Sequence, residues 1–245
     1  MSNIIDLIKI SFLDYRKFLL KTSTYIFVGI ALIIALLSIH TSLEFYIHTN
    51  QELDITKIGR IFNFCMQFVI IFQATVMLTE EFRRGTIPFL FTSSKSRTQI
   101  LFSKILSFVV FCITICLINF AVVTYYYYAK DIIVITNNYF GLFFVLYLVF
   151  AWFIGNYFLF FSVILKSRMS SLVTGMFFLF ILGDFSANLA NKFPVLDKFL
   201  RFFPFDGLLY FLLQDINIEK VISMLVFGLI FFVLSAVIFE RQDLV

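Results

Sequence analysis

Residues that could carry acid–base chemistry come together in one short stretch, where Glu80 and Glu81 precede Arg84. Paired carboxylates beside a guanidinium can transfer protons or bind a charged partner. A membrane enzyme built on such a pair also needs histidines, as metal ligands or as bases. The only two, His40 and His48, come before the apolar run that leads into Glu80, and as a helix that run would be about 30 Å long. We therefore interpret the charged stretch as a binding surface and not as a catalytic centre.

Other catalytic and metal-binding motifs are absent from the sequence. The Glu-Glu-x-x-x-Arg pattern of membrane-embedded prenyl-protein proteases fails by one residue, and there is no Gly-x-Ser-x-Gly or His-Glu-x-x-His. None of the nine glycines precedes a lysine, so the chain has no nucleotide-binding phosphate loop. Cys65, Cys112 and Cys116 lie in apolar runs and are interpreted as small buried side chains, with no metal site and no disulfide framework.

The composition is that of a membrane protein, since 61% of the residues are hydrophobic and 14% are charged. A soluble domain carries about 25% charged residues. Six apolar runs are long enough to cross a bilayer as helices, and lipid requires the backbone hydrogen bonds that helices supply. The runs are residues 23–40, 61–79, 105–128, 141–164, 169–189 and 218–239. We predict an all-α integral membrane protein with residues 1–245 as a single transmembrane domain.

The distribution of Lys and Arg predicts the orientation of the spans. With the amino terminus inside, the inner segments hold 12 of these residues and the outer segments hold 7. Cytoplasmic loops carry the excess of positive charge, so we expect both termini in the cytoplasm of a cell whose plasma membrane holds the protein. The formal net charge of +4 is explained by these membrane-edge cations, and we expect no nucleic-acid partner.

Residues 1–21 precede the first apolar run, and their pattern predicts an amphipathic helix that lies in the membrane interface against lipid headgroups. Its apolar residues recur every three or four positions: Ile4, Ile8, Phe12, Tyr15 and Leu19. Its charged residues fall largely elsewhere on the helical wheel: Lys9, Asp14, Arg16 and Lys17. The alternative is that residues 1–21 are a basic segment in water and do not bind the interface.

The predicted outer segment 187–217 is too apolar to be a water-exposed loop. Pro194 and Pro204 bracket a stretch rich in phenylalanine that has the length of one short helix. We expect this segment to dip into the outer interface or to pack against the spans.

The predicted inner segment 80–104 has the signals of a helix end, a short helix and a new helix start. Gly85 gives the backbone freedom to end the second span, and Thr86 can cap a short apolar helix. Ser96 and Gln99 have the spacing of a capping box at the start of the third span. A short helix with apolar residues on the cytoplasmic side needs a protein partner or the interface.

This segment resembles the signature of type-2 ATP-binding-cassette (ABC) exporter permeases, Glu-x-x-x-Gly-Thr followed by Ser-x-Ser-Arg-x-x-Ile-Leu-x-x-Lys. The matching residues are Glu81, Gly85, Thr86, Ser94, Ser96, Arg97, Ile100, Leu101 and Lys104. The stretch Phe-Leu-Arg-Phe-Phe-Pro-Phe-Asp-Gly-Leu before the last span is similar to a Pro-Phe element of the same family. Lys95 departs from the pattern, because many members have proline there.

The resemblance implies a half-transporter that carries no ATPase site and binds no cofactor itself. A second permease subunit, identical or different, would complete the transport path, and a cytoplasmic ABC ATPase dimer would hold ATP and Mg. The segment 87–94 would be a coupling helix that docks on the ATPase. The coupling residues implied are Glu81, Arg83, Arg84, Gly85, Thr86, Phe89, Leu90, Phe91, Ser94 and Arg97. Alternatively, Arg83 and Arg84 only follow the positive-inside rule.

Polar residues within the spans either join helices or line a transport path. Asn63, Gln67 and Gln73 share one side of the second span, and intramembrane amides commonly hydrogen-bond between helices. Asp184 is the only acid within a span, with Asn188 one turn later, and a carboxylate there requires a wet vestibule or a partner.

A path lined by amides and aromatic residues favours an amphipathic or hydrophobic cargo. Small toxic peptides, lantibiotics and hydrophobic drugs all fit, and the chain resembles a subunit of the exporter of phenol-soluble modulins, which are amphipathic helical peptides. An immunity or scaffold protein that uses the same fold without transport remains an alternative.

Overall fold

The computed structural model of the chain describes residues 11–16, 22–49, 53–86, 96–129, 133–134, 139–192, 202–205 and 218–241. Residues 11–16 are helical. Six long helices follow: α1 (Thr22–His48), α2 (Ile55–Arg84), α3 (Arg97–Ala129), α4 (Tyr139–Leu165), α5 (Arg168–Lys192) and α6 (Ile218–Arg241). Two strands, β1 (Leu53–Asp54) and β2 (Ile133–Val134), complete the described elements.

The helices confirm the prediction of an all-α membrane protein. Five of them, α1, α2, α3, α4 and α6, are long and apolar enough to cross a bilayer. Helix α5 has 25 residues, or about 37 Å of helix, and the apolar stretch among its fully described residues is Arg168–Gly183, which is shorter than a full span. A sixth span at 169–189 therefore stays a prediction.

Helix α4 lies at the centre of the fold and packs against α2, α3, α5 and α6, most extensively against α6. Its buried side chains are large and aromatic, and they fill the space between these neighbours. Among them are Tyr147, Phe150, Phe153, Tyr157 and Phe158. Aromatic packing of this kind is a main source of stability in a bilayer, where burial of apolar surface gives little net driving force.

The strands β1 and β2 form a parallel pair between two loops on the predicted outer face. Leu53 pairs with Ile133, and Asp54 pairs with Val134. The loop after α1 is thereby joined to the loop after α3.

The described part of the segment before α6, residues 202–205, packs on the spans. The Phe205 ring lies 5.9 Å from the rings of Phe153 and Tyr157, near the middle of α4. It also contacts Phe227 and Phe231, near the middle of α6. Phe205 is 6% exposed. Residues 202–205 thus reach well below the predicted outer surface.

Hydrogen bonds from α6 hold residues 202–205 in this position. Lys220 Nζ donates to the Phe203 carbonyl oxygen at 3.1 Å, and the Ser223 hydroxyl donates to the carbonyl of Phe202. Helix α5 continues to Lys192, so the outer segment begins later than the predicted residue 187.

Gly228 allows the close approach of α4 and α6, and its replacement by alanine is expected to destabilise the fold. A Cβ atom at this position would lie 2.6 Å from Trp152 Cδ1. The Trp152 indole donates from Nε1 to the Leu225 carbonyl oxygen at 3.2 Å, so its displacement would break a bond between the helices. We expect a loss of about 1–3 kcal/mol, measured as a lower thermal midpoint of the protein in detergent.

Gly29 provides the matched control, because nothing lies within 4 Å of an added Cβ atom there. Gly29→Ala should raise stability slightly, by up to about 1 kcal/mol, since alanine is the better helix former. Equal midpoints for the two variants would contradict the close packing of α4 on α6 at this position.

Candidate functional site

The carboxyl end of α2 presents two arginines on the surface. Arg83 Nη2 lies 2.6 Å from Glu80 Oε1, and Arg84 Nε lies 3.0 Å from the same oxygen. The side chains of Arg83 and Arg84 are 65% and 62% exposed. Exposed ion pairs of this kind contribute little to stability. Both guanidinium groups are therefore accessible to an anionic partner surface.

Helix α2 ends at Gly85 with two hydrogen bonds that close its last turn. The Gly85 amide donates to the Phe82 carbonyl at 3.2 Å, and the Thr86 amide donates to the Glu81 carbonyl at 3.1 Å. This is a Schellman motif, and it places Gly85 in the left-handed region with φ of 64°. The predicted helix end at Gly85 is confirmed.

Glu81 points into the protein, away from the surface that Arg83 and Arg84 occupy. Its Oε1 atom lies 2.9 Å from Lys104 Nζ on α3, and its Oε2 atom accepts a hydrogen bond from the Thr86 hydroxyl. Lys104 is also 2.9 Å from Asp14 Oδ2. Lys104 is 2% exposed and Asp14 is 5% exposed. One buried ammonium group is thus held between two carboxylates from different parts of the chain, which we call the Lys104 junction.

The amphipathic pattern groups Asp14 with the charged side of an interfacial helix, but the structure buries its side chain. The helical segment 11–16 packs against α3, with the Ser107 hydroxyl donating to the Ser11 carbonyl at 2.8 Å and the Tyr15 and Thr114 hydroxyls 2.8 Å apart. Asp14 is buried because Lys104 provides a partner in this interface.

The outward side of the same segment keeps interfacial character. Phe12 is 62% exposed, and Leu13 and Arg16 are also exposed. An apolar and cationic surface of this kind suits the headgroup region. The other predicted interfacial cations, Lys9 and Lys17, lie outside the described residues.

The start of α3 is fixed by two sets of hydrogen bonds. Ser96 and Gln99 exchange main-chain to side-chain bonds of 3.2 Å each, which confirms the predicted capping box. Arg97 Nη1 donates to the carbonyls of Phe239 and Glu240 at 3.1 and 2.7 Å. Thr98 donates to the Glu240 carboxylate at 2.7 Å. Arg97 therefore satisfies the last carbonyl groups of α6.

Residues 87–95, which include the implied coupling residues Phe89, Leu90, Phe91 and Ser94, lie outside the described residues. Before residue 87, the Gly85 turn and the Lys104 junction hold the end of α2. After residue 95, the Ser96 cap and the Arg97 hydrogen bonds hold the start of α3. Both ends of the predicted coupling segment are therefore anchored to the transmembrane helices.

Asn63 joins three helices within the core. Asn119 Nδ2 donates to Asn63 Oδ1 at 2.7 Å, and the Tyr147 hydroxyl donates to the same oxygen. All three side chains are buried. This arrangement connects α2, α3 and α4, so Asn63 acts at a helix interface. No sequence pattern indicates the pairing with Tyr147, because the two residues are far apart in the chain.

Gln67 and Gln73 are also buried on α2, but they are less completely satisfied. Thr24 of α1 donates to Gln73 Oε1 at 3.4 Å. Within the described part of the chain, Gln67 Oε1 and Gln73 Nε2 have no hydrogen-bond partner. Asn188 is exposed on α5, whereas the side chain of Asp184 lies outside the described residues.

An apolar groove of about 480 Å³ lies between α1, α2 and α5. Its lining is aliphatic and aromatic, and it comprises Phe27, Ile30, Ala31, Ile34, Phe64, Cys65, Phe68, Val69, Ile71, Phe72, Leu172 and Met176. None of the three predicted pathway amides of α2 is among these residues. The groove therefore suits an apolar surface, either from a ligand or from another protein.

The described residues contain no group of three or more His, Cys, Asp or Glu side chains with the arrangement of a metal site. Cys65, Cys112 and Cys116 are free thiols in the described helices.

Comparison with known proteins identifies the family. Residues 10–244 match the model of the ABC-2 family transporter proteins, whereas no curated protein matches the chain in sequence. The family match gives no support for a narrower relation to exporters of phenol-soluble modulins. Because the match covers nearly all of a chain that folds as apolar membrane helices, this multi-pass protein belongs to the ABC-2 family and is a transmembrane subunit of an ABC transporter.

Proposed function

We propose that the chain is the permease subunit of an ATP-driven exporter and that a cytoplasmic ABC ATPase dimer docks on segment 80–104. The observation that carries this proposal is the arrangement at the end of α2. Arg83 and Arg84 face outward beside a segment whose flanks are anchored to the transmembrane helices. A docking site needs an accessible charged surface and a stiff connection to the parts that must move.

ATP hydrolysis belongs to the partner in this proposal, since the chain has no phosphate loop of its own. ATP and Mg bind to the ATPase dimer, and the permease supplies the path. Both termini lie in the cytoplasm, as the excess of Lys and Arg in the inner segments favours, and the protein resides in the plasma membrane.

The exported cargo is an amphipathic or hydrophobic molecule, such as a small toxic peptide or a drug. The apolar groove between α1, α2 and α5 supports this, because a sugar or an inorganic ion would find no polar partners among its lining residues. A second permease subunit, identical or different, faces the groove and completes the path. Gln67 and Gln73 lie behind the lining, on the same helix.

The test is purification of the tagged protein from native membranes in mild detergent, with bound proteins identified by mass spectrometry. We expect an ATPase with a phosphate loop in stoichiometric amount. Arg83→Glu plus Arg84→Glu should reduce the recovered ATPase about tenfold or more, because it places like charges at an interface built for opposite ones.

Lys57→Glu plus Lys192→Glu is the matched control, since it reverses two exposed cations on the predicted outer face. This variant should retain the ATPase. Recovery of the wild-type protein without any ATPase, under conditions that keep a known exporter intact, would overturn the proposal. An ATPase whose turnover does not respond to any amphipathic peptide or drug would favour the immunity or scaffold function.

A further inference from the structure

The Lys104 junction brings together three parts of the chain that are distant in sequence. Asp14 lies in the helical segment 11–16, Glu81 lies in the last turn of α2, and Lys104 lies in α3. We infer that Lys104 is a positioning residue that makes the amino-terminal segment move together with the ATPase-coupling segment. This inference rests on the proposed function.

Burial makes the junction an obligatory contact. An ammonium group that is 2% exposed has almost no water to solvate it, so it must keep an anionic partner. Both of its carboxylate partners lie at 2.9 Å, and each comes from a separate helix. Movement of either helix relative to α3 therefore has to carry Lys104 along or break a buried ion pair.

Glu81 extends this connection into the coupling segment. Its main-chain carbonyl accepts from the Thr86 amide, and its carboxylate accepts from the Thr86 hydroxyl. Thr86 is the last described residue before 87–95. A push on that segment is consequently transmitted through Thr86 and Glu81 to Lys104, and from Lys104 to Asp14.

The amino-terminal segment has its own attachments to α3, and they permit a controlled test. The Tyr15–Thr114 contact holds the segment against the same helix without involving any charge of the junction. Loss of Asp14 leaves Lys104 paired with Glu81, so this change removes one link and keeps the buried ammonium group neutralised.

The experiment uses the complete complex of permease and ATPase, reconstituted in lipid nanodiscs, with Mg-ATP as the only added ligand. We expect Asp14→Asn to bind the ATPase as the wild type does and to keep the KM for ATP, while kcat for ATP hydrolysis falls at least fivefold. Tyr15→Phe should stay within about twofold of the wild-type kcat. Asp14→Glu, which restores the carboxylate, should recover most of the activity.

The outcomes separate this inference from the proposed function. If the wild-type permease binds no ATPase, the proposed function fails. If the complex forms and Asp14→Asn hydrolyses ATP at the wild-type rate, the inference about Lys104 is overturned. An equal loss of kcat in Asp14→Asn and Tyr15→Phe would also overturn it, because packing of segment 11–16 against α3 would then explain both results.

Discussion

Replacement of Lys104 by methionine is expected to destabilise the protein by about 3–5 kcal/mol, which is the usual cost of removing one partner of a buried ion pair. Methionine fills much of the same volume but removes the cation that buried Asp14 and partly buried Glu81 share. Two like charges would then face each other where little water can reach them. The expected result is a large drop in thermal midpoint and in the yield of monodisperse protein.

Two further variants test whether charge is the cause. Lys104→Arg keeps the cation and should retain most of the stability. The triple change Lys104→Met, Asp14→Asn and Glu81→Gln removes all three charges and should recover a substantial part of the loss, since neutral groups are cheaper to bury. If the triple variant were no more stable than Lys104→Met alone, the loss would come from packing and not from the missing cation.

Phe205→Ala is expected to have the second largest effect on stability. The ring fills a space bounded by Phe153, Tyr157, Phe227 and Phe231, and its removal leaves a cavity between α4 and α6. Phe→Ala changes in protein cores lower the free energy of unfolding by about 3–5 kcal/mol. The share of this loss that is caused by the cavity is also expected in a bilayer. Thermal unfolding in detergent would measure the loss.

Phe202 offers a control in the same short segment, because its side chain is 37% exposed. The contact that Phe202 makes with Ser223 uses its main-chain carbonyl, which Phe202→Ala retains. We expect a change of no more than about 1 kcal/mol. Comparable losses of stability in the two variants would show that segment 202–205 as a whole stabilises the fold and that the Phe205 ring has no larger effect than its neighbour.

The sequence predicted those features that depend on neighbouring residues. Long apolar runs determine where the membrane helices lie, because each backbone hydrogen bond in lipid must be made within the helix. The helix end at Gly85 and the cap formed by Ser96 and Gln99 were also predictable, since each needs only a few consecutive residues. These signals located the two flanks of the predicted coupling segment correctly.

Features made by residues far apart in the chain were not predictable from these patterns. The amphipathic pattern groups Asp14 with the other charged residues of 1–21, whereas in the structure it lies inside the protein against Lys104. One feature of the sequence does point to this contact. Lys104 lies well beyond the first turn of α3, and a lysine at such a position in an apolar helix needs an acidic partner.

The depth reached by Phe205 could not be inferred from its surroundings in the sequence either. Aromatic residues are frequent throughout the chain, with 37 phenylalanines in all. Composition therefore gives no indication of which ring enters the helix bundle. The position of Phe205 follows from the space that α4 and α6 leave between them.

The packing of α1 has a consequence for the shape of the apolar groove. Helix α1 packs mainly on α2, whereas α2, α3 and α4 are each in contact with at least three other helices. A change in the tilt of α1 alters the width of the groove while most contacts of the central bundle stay intact. Under the proposed function, α1 is therefore the wall of the groove that can move to fit molecules of different width at a low cost in packing energy.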